Sequence, residues 1–264
     1  MRYFIVKSDQ HVIEAGQKLY GIDTNKNAGL LVEQILRETV PVEVLVNLGD
    51  AADSAYEPNR FLALASAESY QQAGRIFAPV LNKTLQIPGN HDNPELIYRL
   101  LGDNWSSRKN ACCVFQFGAI TFIGVDLRTG PEATGYLRPD TGAELDRLLQ
   151  DSRQAIIFTH FPWYPTDNEW VDGSGRVTNG EVFGAVLVRN QAKILAVFHG
   201  HLHTWWSGTY AGIPHYSLAG SAVGFRMSPK ETQTEQPCLG PLGYLLVGVR
   251  ADGSLLVRPR FLES

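Results

Sequence analysis

Short apolar runs recur along the chain at intervals that suit strands separated by crossover connections. Tyr3–Lys7, Val42–Leu48, Lys83–Ile87, Ala155–Thr159 and Ile194–Phe198 are rich in Val, Ile, Leu and aromatics, which predicts buried strands. Between them the apolar spacing widens to a helical period. In Ala28–Thr39, Leu31 and Ile35 share a face, with Leu36 beside it and Glu33 and Arg37 turned elsewhere. Phe61–Leu81, Glu95–Leu101 after Pro94, Thr141–Leu149 and Asn179–Asn190 predict further helices. Alternation of this kind predicts βαβ units and a largely parallel sheet.

A second pattern predicts hairpins. Cys112–Phe117 and Ile120–Val125 flank Gly118-Ala119, and Gly243–Arg250 and Ser254–Arg258 flank a turn containing Asp252-Gly253. Trp205–Tyr210 and Ile213–Ser217 flank Ala211-Gly212 in the same way. Hairpins beside a parallel core predict an α/β protein with two packed sheets clothed by helices. Gly220–Gly240 has no period and reads as a loop. No repeat, low-complexity tract or linker interrupts the chain, so one domain over residues 1–264 is expected.

Composition narrows the class. The chain is 44% apolar and 19% charged, as in folded globular proteins. With 23 Lys and Arg against 27 Asp and Glu, its net charge of −4 argues against a grip on nucleic acid, which needs clustered cations. No apolar run approaches the roughly 18 residues that span a bilayer. Tyr3–Val6 is shorter than the core of a secretory signal, so a cytoplasmic protein with no membrane partner is expected. Cys112, Cys113 and Cys238 are odd in number and two are adjacent, which speaks against a disulfide framework.

The chemistry lies just after the predicted strands. There the sequence reads Ser8-Asp9-Gln10-His11, then Gly49-Asp50, then Gly89-Asn90-His91-Asp92, then His160, then His199-Gly200-His201-Leu202-His203. Six of the seven histidines fall at these places, leaving His215, which reads as a packed core residue. Parallel strand ends converge on one crevice, where open α/β sheets place their sites. Residues two apart in extended chain share a side, so Asp9 with His11 and His201 with His203 can aim into one space. Carboxylate, imidazole and amide oxygen donors suit ions such as Mn, Fe, Zn or Co. The donors are too many for one ion and suit two, and Asp50 is the natural bridge between them.

This series of motifs resembles the calcineurin-like metallophosphoesterase superfamily. Lys18-Leu19-Tyr20-Gly21 before Asn25, and Gly135-Tyr136-Leu137, are similar to its bacterial cyclic-nucleotide phosphodiesterase and glycerophosphodiesterase branch. The resemblance implies an αββα sandwich of two mixed β-sheets. It implies one metal on Asp9, His11, Asp50 and His203 and a second on Asp50, Asn90, His160 and His201. His91 would then protonate the leaving oxygen or stabilise phosphoryl charge, with Asp92 orienting its ring. The implied activity is hydrolysis of small phosphodiesters, cyclic-nucleotide or glycerophosphodiester-like, by a metal-bound hydroxide.

Three positions depart from the family pattern: Lys7 replaces an apolar residue, His199 precedes the last motif, and the fourth motif is His160-Phe161-Pro162. Rival readings are a phosphomonoesterase of the protein-phosphatase type, a nucleotide pyrophosphatase, a nuclease and a non-catalytic scaffold. The first resembles G-D-x-x-D-R-G, and here Ser54-Ala55 follow Asp53, so its phosphate-clamping Arg is missing. A nuclease lacks its basic tract here, and a scaffold would have lost ligands that this chain keeps. His199 reads equally as a packed core residue or as support for the site. Trp163, Tyr164, Trp170, Trp205 and Trp206 read as loop packing ahead of a stacking wall for a ring, Arg226 and Lys230 as ordinary surface charge, and the cysteines as inert. Homo-oligomers remain compatible with the sequence.

Overall fold

Strands that are apolar along their whole length fit only where both sheet faces are covered, and the fold provides that setting. The structure is a computed structural model describing residues 1–54, 64–130, 132–227, 236–238 and 240–263, with the backbone alone for 236–238. β1 (Arg2–Lys7), β2 (Val42–Asn47) and β3 (Thr84–Gln86) run parallel. β4 (Ser107–Lys109), β5 (Cys112–Phe117) and β6 (Ile120–Val125) form an antiparallel meander. β7 (Ala155–Thr159) and β8 (Ile194–His199) extend it in parallel, and the hairpin of β9 (Trp206–Tyr210) and β10 (Ile213–Ser217) ends it. β11 (Gly224–Arg226) pairs only with β12 (Gln236–Cys238) among the described residues. β13 (Gly243–Val249) and β14 (Leu255–Phe261) return to the first sheet, where β13 lies antiparallel to β1. The sheets are thus mixed, with orders β14-β13-β1-β2-β3 and β4-β5-β6-β7-β8-β10-β9.

Three apolar layers explain why the sheets stack. Phe4 of β1 meets Phe122 of β6 at a ring distance of 4.8 Å and Phe158 of β7 at 6.0 Å, so aromatic edges close the space between the sheets. Helices α1 (Thr24–Leu36), α2 (Ala67–Phe77) and α3 (Pro94–Leu101) cover the outer face of the first sheet through Leu31, Tyr70 and Ile97. Beyond the second sheet, α4 (Pro139–Asp151) and α6 (Gly180–Arg189) contribute Leu145, Phe183 and Leu187, and the short α5 (Glu169–Ser174) lies in the connection between β7 and α6. Each fully buried Phe or Leu contributes about 1.5–3 kcal/mol, and these layers hold the strand ends in place.

The expected αββα arrangement is therefore present, with local differences. α1 starts four residues before the expected Ala28, because the Asp23 carboxylate accepts from Lys26 N at 2.9 Å. α2 starts at Ala67, where Ser66 Oγ accepts from Ser69 N; of the helix expected from Phe61, residues 61–63 lie outside the described residues. The expected loop Gly220–Gly240 contains the short ribbon of β11 and β12. Among the described residues no helix is long and apolar enough to cross a membrane.

Candidate metal centre

The loops leaving β1, β2, β3, β7 and β8 carry all the predicted site residues, and main-chain bonds zip neighbouring loops together. Asp9 N donates to Gly49 O at 2.9 Å, His11 N to Asp50 O at 2.9 Å, and Asp53 N to Val12 O at 2.9 Å. Within the second sheet Gly200 N donates to His160 O at 3.0 Å, and across the sheets His201 N reaches the Asp9 carboxylate at 3.2 Å. Five site residues, Asp9, His11, Asp50, His201 and His203, have φ between 40° and 70°. That region is uncommon for side chains larger than Gly, and the zipped loops impose it. Gly89 lies so close to Asp50 that a Cβ there would collide with the carboxylate, so glycine is required.

Two donor sets meet at one carboxylate, and a third group, His11, Asp53 and His91, adjoins the first. Asp9, His11, Asp50 and His203 place ligand atoms within 4.8 Å of one another, and so do Asp50, His160 and His201. Asn90 joins the second set, with Oδ1 3.1 Å from His160 Nε2. Apart from His201, which is half-buried, all of these side chains are buried.

Outer hydrogen bonds fix the imidazole tautomers. Nδ1–H of His203 donates to Val223 O at 2.7 Å and that of His160 to Leu48 O at 2.8 Å, while Nδ1–H of His11 donates to Asp53 Oδ2 at 2.8 Å. Nε2 of each ring is thereby aimed inward as the ligand atom. His11 Nε2 then faces His203 Nε2 at 3.1 Å, and His160 Nε2 faces His201 Nδ1 at 3.2 Å. Two nitrogens that meet lone pair to lone pair need a proton or a cation between them.

Without cations, protons balance the carboxylates. Burial opposes charge on His160, but Asp50 outweighs it and holds that ring up at about 9; Asp53 and Asp50 likewise prevail over burial to raise His11. Burial pushes His203 down to about 4 and His201 well below its ordinary value. The Asp50 carboxyl is held well below the usual range, since His160 and His91 overcome its burial. A cation supplies the same positive charge, so this donor set fits metal binding coupled to proton release.

His91 stands beside the donor sets with 27% of its side chain exposed. Its Nδ1 lies 3.0 Å from Asp53 Oδ1, and Nε2 has no protein partner among the described residues. Asp92, expected to orient this ring, has another task. Its carboxylate accepts from Gly89 N at 2.9 Å and from Tyr70 OH at 2.7 Å, so it fixes the β3 loop from behind. Asp53 holds both His11 and His91. The only sequence signal for it was its spacing three residues beyond Asp50.

Lys7 and His199 lie behind the centre. Lys7 is 2% exposed, donates to Gln10 Oε1 at 3.1 Å and sits 4.2 Å from the Phe77 ring; burial pushes its amine down to about 7. His199 is fully buried and burial lowers it to about 3, so the ring is neutral. Nδ1–H donates to Gly200 O at 3.2 Å, and Nε2 accepts from Tyr164 OH at 2.9 Å. Tyr164 follows His160 and His199 precedes His201, so this bond ties together two loops that bear donors of the second set. Tyr164→Phe should weaken binding of one cation about tenfold and leave the other unchanged, the usual scale for a lost supporting bond. Calorimetric titration with Mn²⁺ checks this; equal weakening of both would contradict it.

The remaining expectations fall into place around the centre. Trp163 and Tyr164 are buried packing residues, and His215 lies under Tyr164 at a ring distance of 3.9 Å. Cys112 and Cys113 are buried free thiols, and burial pushes Cys112 up to about 12, which keeps it unreactive. Trp205 is only half-buried and Arg226 is exposed; Lys230 lies outside the described residues.

Two mixed sheets whose strand ends pool carboxylates and imidazoles define a metal-dependent phosphoesterase. The chain belongs to the calcineurin-like phosphoesterase family, matching it over residues 4–205. It is 27% identical over 225 residues to a probable cyclic nucleotide phosphodiesterase of Rhodopseudomonas palustris, covering 83% of this chain and 78% of that protein. It is 29% identical over 205 residues to a glycerophosphodiester phosphodiesterase of Enterobacter lignolyticus, covering 74% and 69%. Among solved structures, a dimetal phosphatase from Danio rerio superposes with a TM-score of 0.64 at 18% identity, covering 100% of this chain and 97% of that one. A purple acid phosphatase from yellow lupin gives 0.69 at 13% identity over 98% of this chain, which spans about half (51%) of the lupin protein. These structural likenesses show the shared fold.

Proposed function

We propose that this single-domain protein hydrolyses one P–O ester bond of a small phosphodiester at a centre of two cations. Asp9, His11, Asp50 and His203 would hold one ion, and Asp50, Asn90, His160 and His201 the other, with Mn, Fe, Zn or Co as the ions these donors suit. Two donor sets that share Asp50 within 4.8 Å carry this reading. When bound, such a pair lowers the pKa of water and neutralises phosphoryl oxygens that gain charge. His91, backed by Asp53, gives a proton to the departing oxygen through Nε2. Burial disfavours its imidazolium, while the neighbouring Asp53 and Asp50 carboxylates favour it and raise the ring above its ordinary value, the direction that suits a proton donor.

A cyclic nucleotide or glycerophosphodiester-like substrate is supported by the activities of the two relatives named above. The free thiols Cys112 and Cys113 support a reducing, cytoplasmic setting, and the acidic balance supports a small-molecule substrate over nucleic acid.

Turnover of bis(4-nitrophenyl) phosphate beside 4-nitrophenyl phosphate, with Mn²⁺ and with a chelator, tests the reading. The diester should be favoured at least about tenfold, a difference of ~1.4 kcal/mol in transition-state binding, and the chelator should abolish both activities. A monoester preference, or turnover that survives chelation, would overturn it.

A further inference from the structure

A cavity of about 350 Å³ adjoins the centre, with His203, Thr204, Trp205, Phe225, Arg226 and Pro241 in its wall. That volume lies at the lower end of the roughly 300–1,000 Å³ of small-molecule sites. His203 belongs to both places: its residue lines the cavity, while its Nε2 faces His11 in the first donor set. The Phe225 ring lies 4.5 Å from the His203 ring, which connects the aromatic wall to the metal ligands. Trp205 is held in place, because Nε1–H donates to Pro241 O at 2.6 Å and its ring packs edge-on against Phe261 at 5.3 Å. Arg226 forms no ion pair with a described residue, and no described residue lining the cavity is acidic. The wall thus offers flat apolar faces, and Arg226, an exposed residue with no ion pair to a described residue, stands beside them.

Those two features together select a ligand. A planar ring gains by stacking on the aromatic wall, and the guanidinium fork binds best to two acceptors side by side. Guanine presents such a pair in O6 and N7, whereas adenine presents N7 beside a donor amino group that the fork repels. A glycerol-type group offers neither the flat face nor the paired acceptors.

We propose that this cavity receives the base of a cyclic purine nucleotide and that Arg226 makes the site prefer guanine to adenine. The proposal rests on the phosphodiesterase reading, and the test separates the two. With Mn²⁺-loaded protein, kcat/KM is measured for 3′,5′-cyclic GMP, 3′,5′-cyclic AMP and bis(4-nitrophenyl) phosphate. The expected guanine-to-adenine ratio is at least about tenfold, the lower end for one bidentate base contact.

In Arg226→Ala the ratio should fall to near one, chiefly through KM for cyclic GMP. Arg226→Lys should not restore it, because an ammonium has no planar fork. Calorimetric binding of the product 5′-GMP against 5′-AMP to the wild-type protein should show the same preference. Should the wild type cleave the chromogenic diester without preferring guanine, or keep its preference in Arg226→Ala, this proposal fails while the phosphodiesterase reading stands. Should it cleave none of the three diesters, both fail.

Discussion

Asp50→Ala should lose both cations and at least about a thousandfold in activity, since metal ions supply several kcal/mol and each ~1.4 kcal/mol is tenfold. Among the described residues, Asp50 alone is common to the Asp9–His11–Asp50–His203 set and the Asp50–His160–His201 set. Its Oδ2 lies 3.5 Å from His11 Nε2 and 3.3 Å from His160 Nε2, while Oδ1 accepts from His91 N at 2.9 Å. Under the proposed ligand assignment, removing the carboxylate would leave each ion short of a ligand and short of negative charge. Asp9→Ala is the contrasting case, because Asp9 appears only in the first set and should cost one ion. Metal content by mass spectrometry, with circular dichroism to confirm folding, decides the matter. An Asp50→Ala protein that keeps two tightly bound ions would exclude the bridge.

His91→Ala should keep both cations and lose rate in a way that depends on the leaving group. The ring is outside both proposed ligand sets, with Nδ1 on Asp53 and Nε2 free of protein partners among the described residues. For an alkoxide leaving group the loss should be about 10²–10⁴-fold, the range for a positioned general acid. For 4-nitrophenolate, which departs without a proton, it should be under about tenfold. Equal losses would assign His91 to phosphoryl charge instead of proton delivery. Asp53→Asn supplies a second readout. Asp53 is the leading carboxylate among the charges that raise His91, so its neutralisation lowers the ring's pKa. The acid form is then lost at lower pH, and the alkaline limb of kcat/KM should move down. A limb that stays in place would separate Asp53 from the acid.

The sequence showed the strands best where burial leaves no alternative. β7 and β13 are buried at every position, and an apolar run bounded by turns identifies them. β4 is Ser107–Lys109, exposed throughout, and its existence depends on pairing with β5 rather than on its own composition. The clustering of the candidate donors was legible because each follows its strand within a few residues, so the sheet alone brings them together. Asp53 and Tyr164 were not, since their partners His91 and His199 are 38 and 35 residues away and only packing makes the contacts. Asp92 was misassigned for a related reason. Adjacency in sequence does not make contact, and its carboxylate turns back to Gly89 N and Tyr70 OH.

The most direct measurement is anomalous X-ray diffraction from crystals of the Mn²⁺-loaded protein. Two peaks about 3.5–4 Å apart, with the Asp50 carboxylate between them, are the predicted result. A single peak, or two peaks of which only one touches Asp50, would contradict a shared dinuclear centre.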